Sequence, residues 1–86
     1  MDEIANIREK VDAIDDQILR DIAARVKLCR AIGGLKKQQG KPVHDVDREN
    51  EVFKRVRERA MLFKVDPVTA ERIYREIVNM CTSVQE

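Results

Sequence analysis

Histidine and cysteine are scarce in this chain, with one His and two Cys among 86 residues. His44 has no Cys or His neighbour at ligand spacing, so it reads as a solvated loop residue and no metal site is expected. The sequence also lacks a Ser-His-Asp set and a phosphate-cradling glycine loop, which removes the usual signatures of covalent and phosphoryl chemistry. No apolar run approaches the roughly 20 residues that a membrane span requires. The start, Met1-Asp2-Glu3-Ile4, is acidic and has no apolar segment of a secretory signal. A cytoplasmic location is therefore expected, and Cys29 and Cys81 are expected to remain reduced thiols there. An excess of one charge is missing too. Seventeen Lys plus Arg against sixteen Asp plus Glu leave a net charge of +1, so no global field exists to hold nucleic acid. Any cationic function must be local.

What the sequence does contain is helical periodicity. Ile4, Ile7, Val11, Ile14, Ile18, Ile22, Val26 and Cys29 recur at steps of three or four, which places them on one stripe of a helix. That helix is predicted from about Glu3 to about Gln39, capped by Asp2 and ended by Gly40-Lys41-Pro42. Gly33-Gly34 interrupts it at a cost of about 2 kcal/mol relative to alanines, and either permits close packing or marks a bend. A second helix should start near Asp45 and carry Val52, Phe53, Val56 and Ala60 on its inner face to about Phe63. Asp66-Pro67 starts a third, with Ile73, Ile77, Met80, Cys81 and Val84 inward. The fold class is all-α, one domain over residues 1–86, near the size at which a single core is marginal. A first helix of this length would span about 54 Å at 1.5 Å per residue, whereas a compact globule of this size is about 30 Å across. Its apolar stripe must overhang, and a symmetric homodimer is the simplest way to cover it.

Three cations lie along this first helix. Arg25 and Lys36, eleven residues apart, return to within about 20° of one face with about 16 Å between them, so both can reach one ligand. Arg8 lies about 26 Å before Arg25 and is turned by about 100°, too far to share that ligand within one chain. Asp45, Arg48 and Glu49 share one surface of the second helix, and Cys81 and Gln85 form an i, i+4 pair at the end of the third. By spacing alone these charges read as a solvated face, its ion pairs worth under about 1 kcal/mol each.

The ordered pattern changes that reading. Ile7-Arg8-Glu9-Lys10-Val11-Asp12-Ala13-Ile14-Asp15, Ala24-Arg25, Lys36 and Pro42-Val43-His44-Asp45-Val46-Asp47-Arg48-Glu49 together resemble the all-helical class of chorismate mutases across nearly the whole chain. The resemblance implies three helices per chain in an intertwined homodimer with shared sites. It also implies a cofactor-free rearrangement of chorismate to prephenate, a step of phenylalanine and tyrosine biosynthesis. In that reading Arg25, with Arg8 from the partner subunit, holds the two substrate carboxylates, and Lys36 and Gln85 donate to the ether oxygen. Glu49 accepts the ring hydroxyl, and Asp45 and Arg48 shape that end of the pocket. Cys81 stands where the family can place a serine against a carboxylate, and a thiol is the weaker donor. Two rival readings stand beside this one: an isochorismate-pyruvate lyase of the same fold, against which Glu49 argues, and a non-catalytic helical dimer serving as a regulatory or binding module.

Overall fold

The computed structural model describes residues 2–86. Three helices follow one another: α1, Glu3–Gln39; α2, Val46–Leu62; and α3, Pro67–Gln85. Each begins on an aspartate whose carboxylate satisfies amides that the helix leaves open. Asp2 accepts from the backbone N–H of Ile4 at 3.1 Å and of Ala5 at 3.3 Å. Asp45 accepts from Arg48 N–H at 3.0 Å. Asp66 takes both the amide of Thr69 at 3.0 Å and its hydroxyl at 2.6 Å, bonds that hold its carboxyl below the usual carboxylate value. Pro67 occupies the first turn of α3, where its missing N–H costs nothing.

The helix ends differ. Gly40 closes α1 in the left-handed region, with φ 67°, a conformation that glycine adopts without a Cβ penalty. After α2 the same region is taken by Lys64, with φ 59°, and Val65 N–H donates back to the Ala60 carbonyl at 2.8 Å. A lysine there accepts a steric cost that a glycine would avoid.

Helix α3 is the middle of the chain's packing. It lies against both α1 and α2, while no Cα of α1 comes within 8 Å of a Cα of α2. Phe53 and Ala60 of α2, Val78 of α3 and Cys29 of α1 are its buried apolar side chains. Arg75 stacks over the Phe53 ring at 4.5 Å, and Glu71 is shared by Arg57 of α2 and Arg75 of its own helix. The inner face of α3 differs in part from the sequence expectation. Val78 takes the buried position, while Ile73 and Met80 are exposed, because α3 divides its surface between two helices rather than turning one stripe to one neighbour.

The two cysteines are a clearer correction. Cys29 and Cys81 form a disulfide joining α1 to α3, with S–S 2.06 Å and Cα–Cα 5.4 Å, instead of remaining free thiols. Their separation of 52 residues hid a proximity that only the α1–α3 packing creates, and that Cα distance is well within disulfide reach.

At Gly33-Gly34 the structure shows close packing. Helix α1 runs unbroken through both residues, and Gly33 is buried against α3. A Cβ on Gly33 would stand 2.9 Å from the Gln85 Cα, whereas one on Gly34 would meet nothing within 4 Å among the described residues. Close packing explains the first glycine, and no contact among the described residues requires the second.

The molecule measures 59 × 24 × 15 Å, with a radius of gyration of 16.3 Å, against about 12 Å for a compact domain of this length. Ile4, Ile7, Val11, Ile14 and Ile18 are each about half or more exposed. Helix α1 therefore overhangs as its length requires, and its apolar stripe is uncovered within the chain. No helix among the described residues is long and apolar enough to cross a membrane.

Candidate active site

Where the C-terminal half of α1 meets the start of α2 and the end of α3, the helices enclose a cavity of about 320 Å³. Seven of the eight side chains singled out by sequence line it: Arg25, Lys36, Asp45, Arg48, Glu49, Cys81 and Gln85. Arg8, the eighth, is exposed on the overhanging part of α1 and takes no part in this cavity.

The centre of the site is Lys36. Its ammonium donates to the Val43 carbonyl at 2.7 Å and to Gln85 Oε1 at 2.8 Å. An ammonium carries three donors, so among the described residues one N–H remains for a ligand. The same contact fixes the Gln85 amide, since only its oxygen can face a cation. Its NH2 group is thereby turned away from Lys36 and donates to Cys81 Sγ at 3.3 Å. Two donor-bearing side chains from different helices, 49 positions apart in sequence, thus meet at one cavity.

Around them the charges are mixed. Arg25 is half-buried, with a long contact of 3.9 Å from Nη1 to Cys29 Sγ, which leaves most of its guanidinium fork uncommitted. Glu49 is half-buried on the first turn of α2. Asp45 commits Oδ1 to capping that helix, and Arg48 is exposed and paired with Glu51 at 3.1 Å. Arg25 and Lys36 can therefore engage an anionic ligand directly, Glu49 can accept from a hydroxyl, and Lys36 with Gln85 can donate to a third oxygen.

Sequence reasoning missed the rest of the wall. Cys29, Ile32, Val43, Val52, Val78 and Thr82 also line the cavity. The Val43 carbonyl is a backbone acceptor that no side-chain pattern announces, and the Thr82 hydroxyl is spent on the Val78 carbonyl at 3.1 Å. A larger groove of about 710 Å³ shares Arg25, Arg48 and Val52 with the first and adds Arg55 and Arg59. It contains none of Lys36, Glu49 and Gln85, so the convergent donors and the acceptor belong to the smaller cavity.

The family model for chorismate mutase type II matches residues 7–86. The chain belongs to the chorismate mutase type II family. It is 30% identical over 86 residues to a chorismate mutase of Methanocaldococcus jannaschii, covering all of this chain and 87% of that protein. It is 35% identical over 89 residues to a bifunctional chorismate mutase/prephenate dehydratase of Aquifex aeolicus, of which it spans 25%. A conserved hypothetical protein from Pyrococcus furiosus has the same architecture, with a TM-score of 0.78, 29% identity and coverage of 100% and 99% of the two chains. The family's three-helix, all-α form is the one observed.

Proposed function

We propose that this chain rearranges chorismate to prephenate in the cavity around Lys36, working as a homodimer in which each site is completed by the partner's Arg8. The observation that carries this reading is the pairing of Lys36 with Gln85 at 2.8 Å in a cavity that also holds Arg25 and Glu49. The reaction breaks a carbon–oxygen bond as a carbon–carbon bond forms, and it needs no nucleophile. The protein has to select the folded, reactive conformer of a flexible dianion and stabilise charge developing on the ether oxygen.

Arg25 supplies a guanidinium fork that matches one carboxylate in geometry and charge. The second carboxylate needs another cation. Arg8 of the same chain is about 26 Å along the helix, whereas a second copy seated on the exposed stripe from Ile4 to Ile18 brings its own Arg8 across. Clamping both carboxylates contributes several kcal/mol by positioning. The remaining N–H of Lys36 and the second N–H of the Gln85 amide meet the ether oxygen, where each preorganised donor is worth about 2.7 to 4 kcal/mol. Glu49 accepts the ring hydroxyl and so favours chorismate over an isomer whose hydroxyl lies elsewhere.

The test is to incubate the purified protein separately with chorismate and isochorismate while following prephenate, pyruvate and salicylate. Prephenate from chorismate is expected. Pyruvate and salicylate from isochorismate would identify a lyase instead, and no turnover of either would leave a binding module.

A further inference from the structure

Gln85 is the last residue of α3, a place where helices ordinarily fray. Here two features hold that turn against α1. One is the Cys29–Cys81 disulfide, which ties α3 to α1 one turn before Gln85. The other is Gly33, one turn along α1 from Cys29, whose bare backbone lets the Gln85 Cα approach to where a Cβ would stand at 2.9 Å. Between them Gln85 reaches Lys36 at 2.8 Å and lays its amide on Cys81 Sγ at 3.3 Å. We infer that Gly33 and the Cys29–Cys81 disulfide are positioning residues for Gln85, forming a clamp that makes the rate of the chemical step depend on the crosslink. This inference rests on the reading of Gln85 as a donor to the reacting oxygen.

The clamp has a chemical and a steric control. A dithiol such as dithiothreitol gives two electrons and two protons to the S–S bond. Cys29 and Cys81 become thiols and the reagent closes into its own cyclic disulfide. The last turn of α3 is then held to α1 only by packing and by the Lys36–Gln85 hydrogen bond. Alanine at position 33 leaves the crosslink in place but brings its Cβ within 3.0 Å of Gln85 Cα, Cβ and Cγ. Ordinary carbon contacts lie near 3.5 Å, so the end of α3 must retreat by about half an ångström. A misplacement of that order at a preorganised donor is costly in rate.

The experiment measures kcat and KM with chorismate for the wild type, Gly33→Ala and Gly34→Ala, each with the disulfide intact, and for the wild type after reduction confirmed by thiol counting. All are repeated in a Gln85→Ala background, with circular dichroism on the same samples. Gly33→Ala should lower kcat about tenfold with a smaller change in KM, reduction should lower it in the same direction, and Gly34→Ala should leave it unchanged. In the Gln85→Ala background, itself slow, Gly33→Ala should have no further effect. An unchanged kcat in folded Gly33→Ala, or an equal loss in both backgrounds, overturns the clamp while the donor role of Gln85 stands. Full activity in Gln85→Ala alone would remove the donor reading and the clamp with it.

Discussion

Reducing the Cys29–Cys81 disulfide should cost this protein a large part of its stability, and the size of the loss follows from its topology. The bridge closes a loop of 52 residues. The entropy that such a crosslink removes from the unfolded chain grows with the logarithm of loop length and comes to about 4 kcal/mol here. A chain of 86 residues has a total stability of roughly 4 to 13 kcal/mol at the usual value per residue. Among the described residues only Cys29, Phe53, Ala60 and Val78 are buried apolar side chains, so packing inside one copy cannot replace the crosslink.

The assay is urea denaturation followed by circular dichroism at fixed protein concentration, with and without a reductant, and with thiol counts at each end. Reduction is expected to lower the unfolding free energy by about 4 kcal/mol per chain, and the thermal midpoint by roughly 15 to 30 °C. In a dimer the same shift is expected, because two crosslinks act on twice the chain. The reduced unfolded chain is also more expanded, so the dependence on urea should steepen. A midpoint unmoved after complete reduction would refute the reasoning, since it would mean that the bridge joins segments already held together in the unfolded state.

Four further outcomes test the site and the backbone. Lys36→Ala should lower kcat at least a hundredfold with the fold intact by circular dichroism, and unaltered turnover would take Lys36 out of the mechanism. Mixing inactive Arg8→Ala and Lys36→Ala proteins should restore activity through hybrids that carry one intact site; no recovery despite demonstrated subunit exchange would rule out a shared site. Gln85→Glu should work only when its new carboxyl is protonated and able to donate, so its rate should climb as pH falls, and a flat profile would contradict the donor role. Lys64→Gly should raise stability by about 1 kcal/mol in denaturant titrations, because the left-handed position after α2 carries a Cβ cost that glycine avoids.

The three helices were legible because each carries its own punctuation. Asp2, Asp45 and Asp66 with Pro67 cap the starts, Gly40 caps the first end, and these signals are local. Most of the residues lining the candidate cavity were legible only through the family resemblance, because spacing alone left them as a solvated face. Arg25 and Lys36 share a helix face fixed by the rise and turn per residue, and Glu49 lies a turn beyond the Asp45 cap. What the sequence could not announce was long-range. The disulfide, the backbone carbonyl of Val43 that holds Lys36, and the contact between Gly33 and Gln85 all depend on how α3 crosses the chain. The burial of Val78 in place of Ile73 and Met80 has the same origin, since α3 meets two neighbours at once. One helix, α1, therefore answers to two demands. Its C-terminal half is fixed by α3 and carries Arg25 and Lys36, while its N-terminal half leaves Ile4 to Ile18 exposed with Arg8 among them. In the proposed dimer, a side chain that cannot reach its own cavity and lies beside the uncovered apolar stripe serves a neighbour's site. In that reading the covering of the stripe and the completion of the site are a single event.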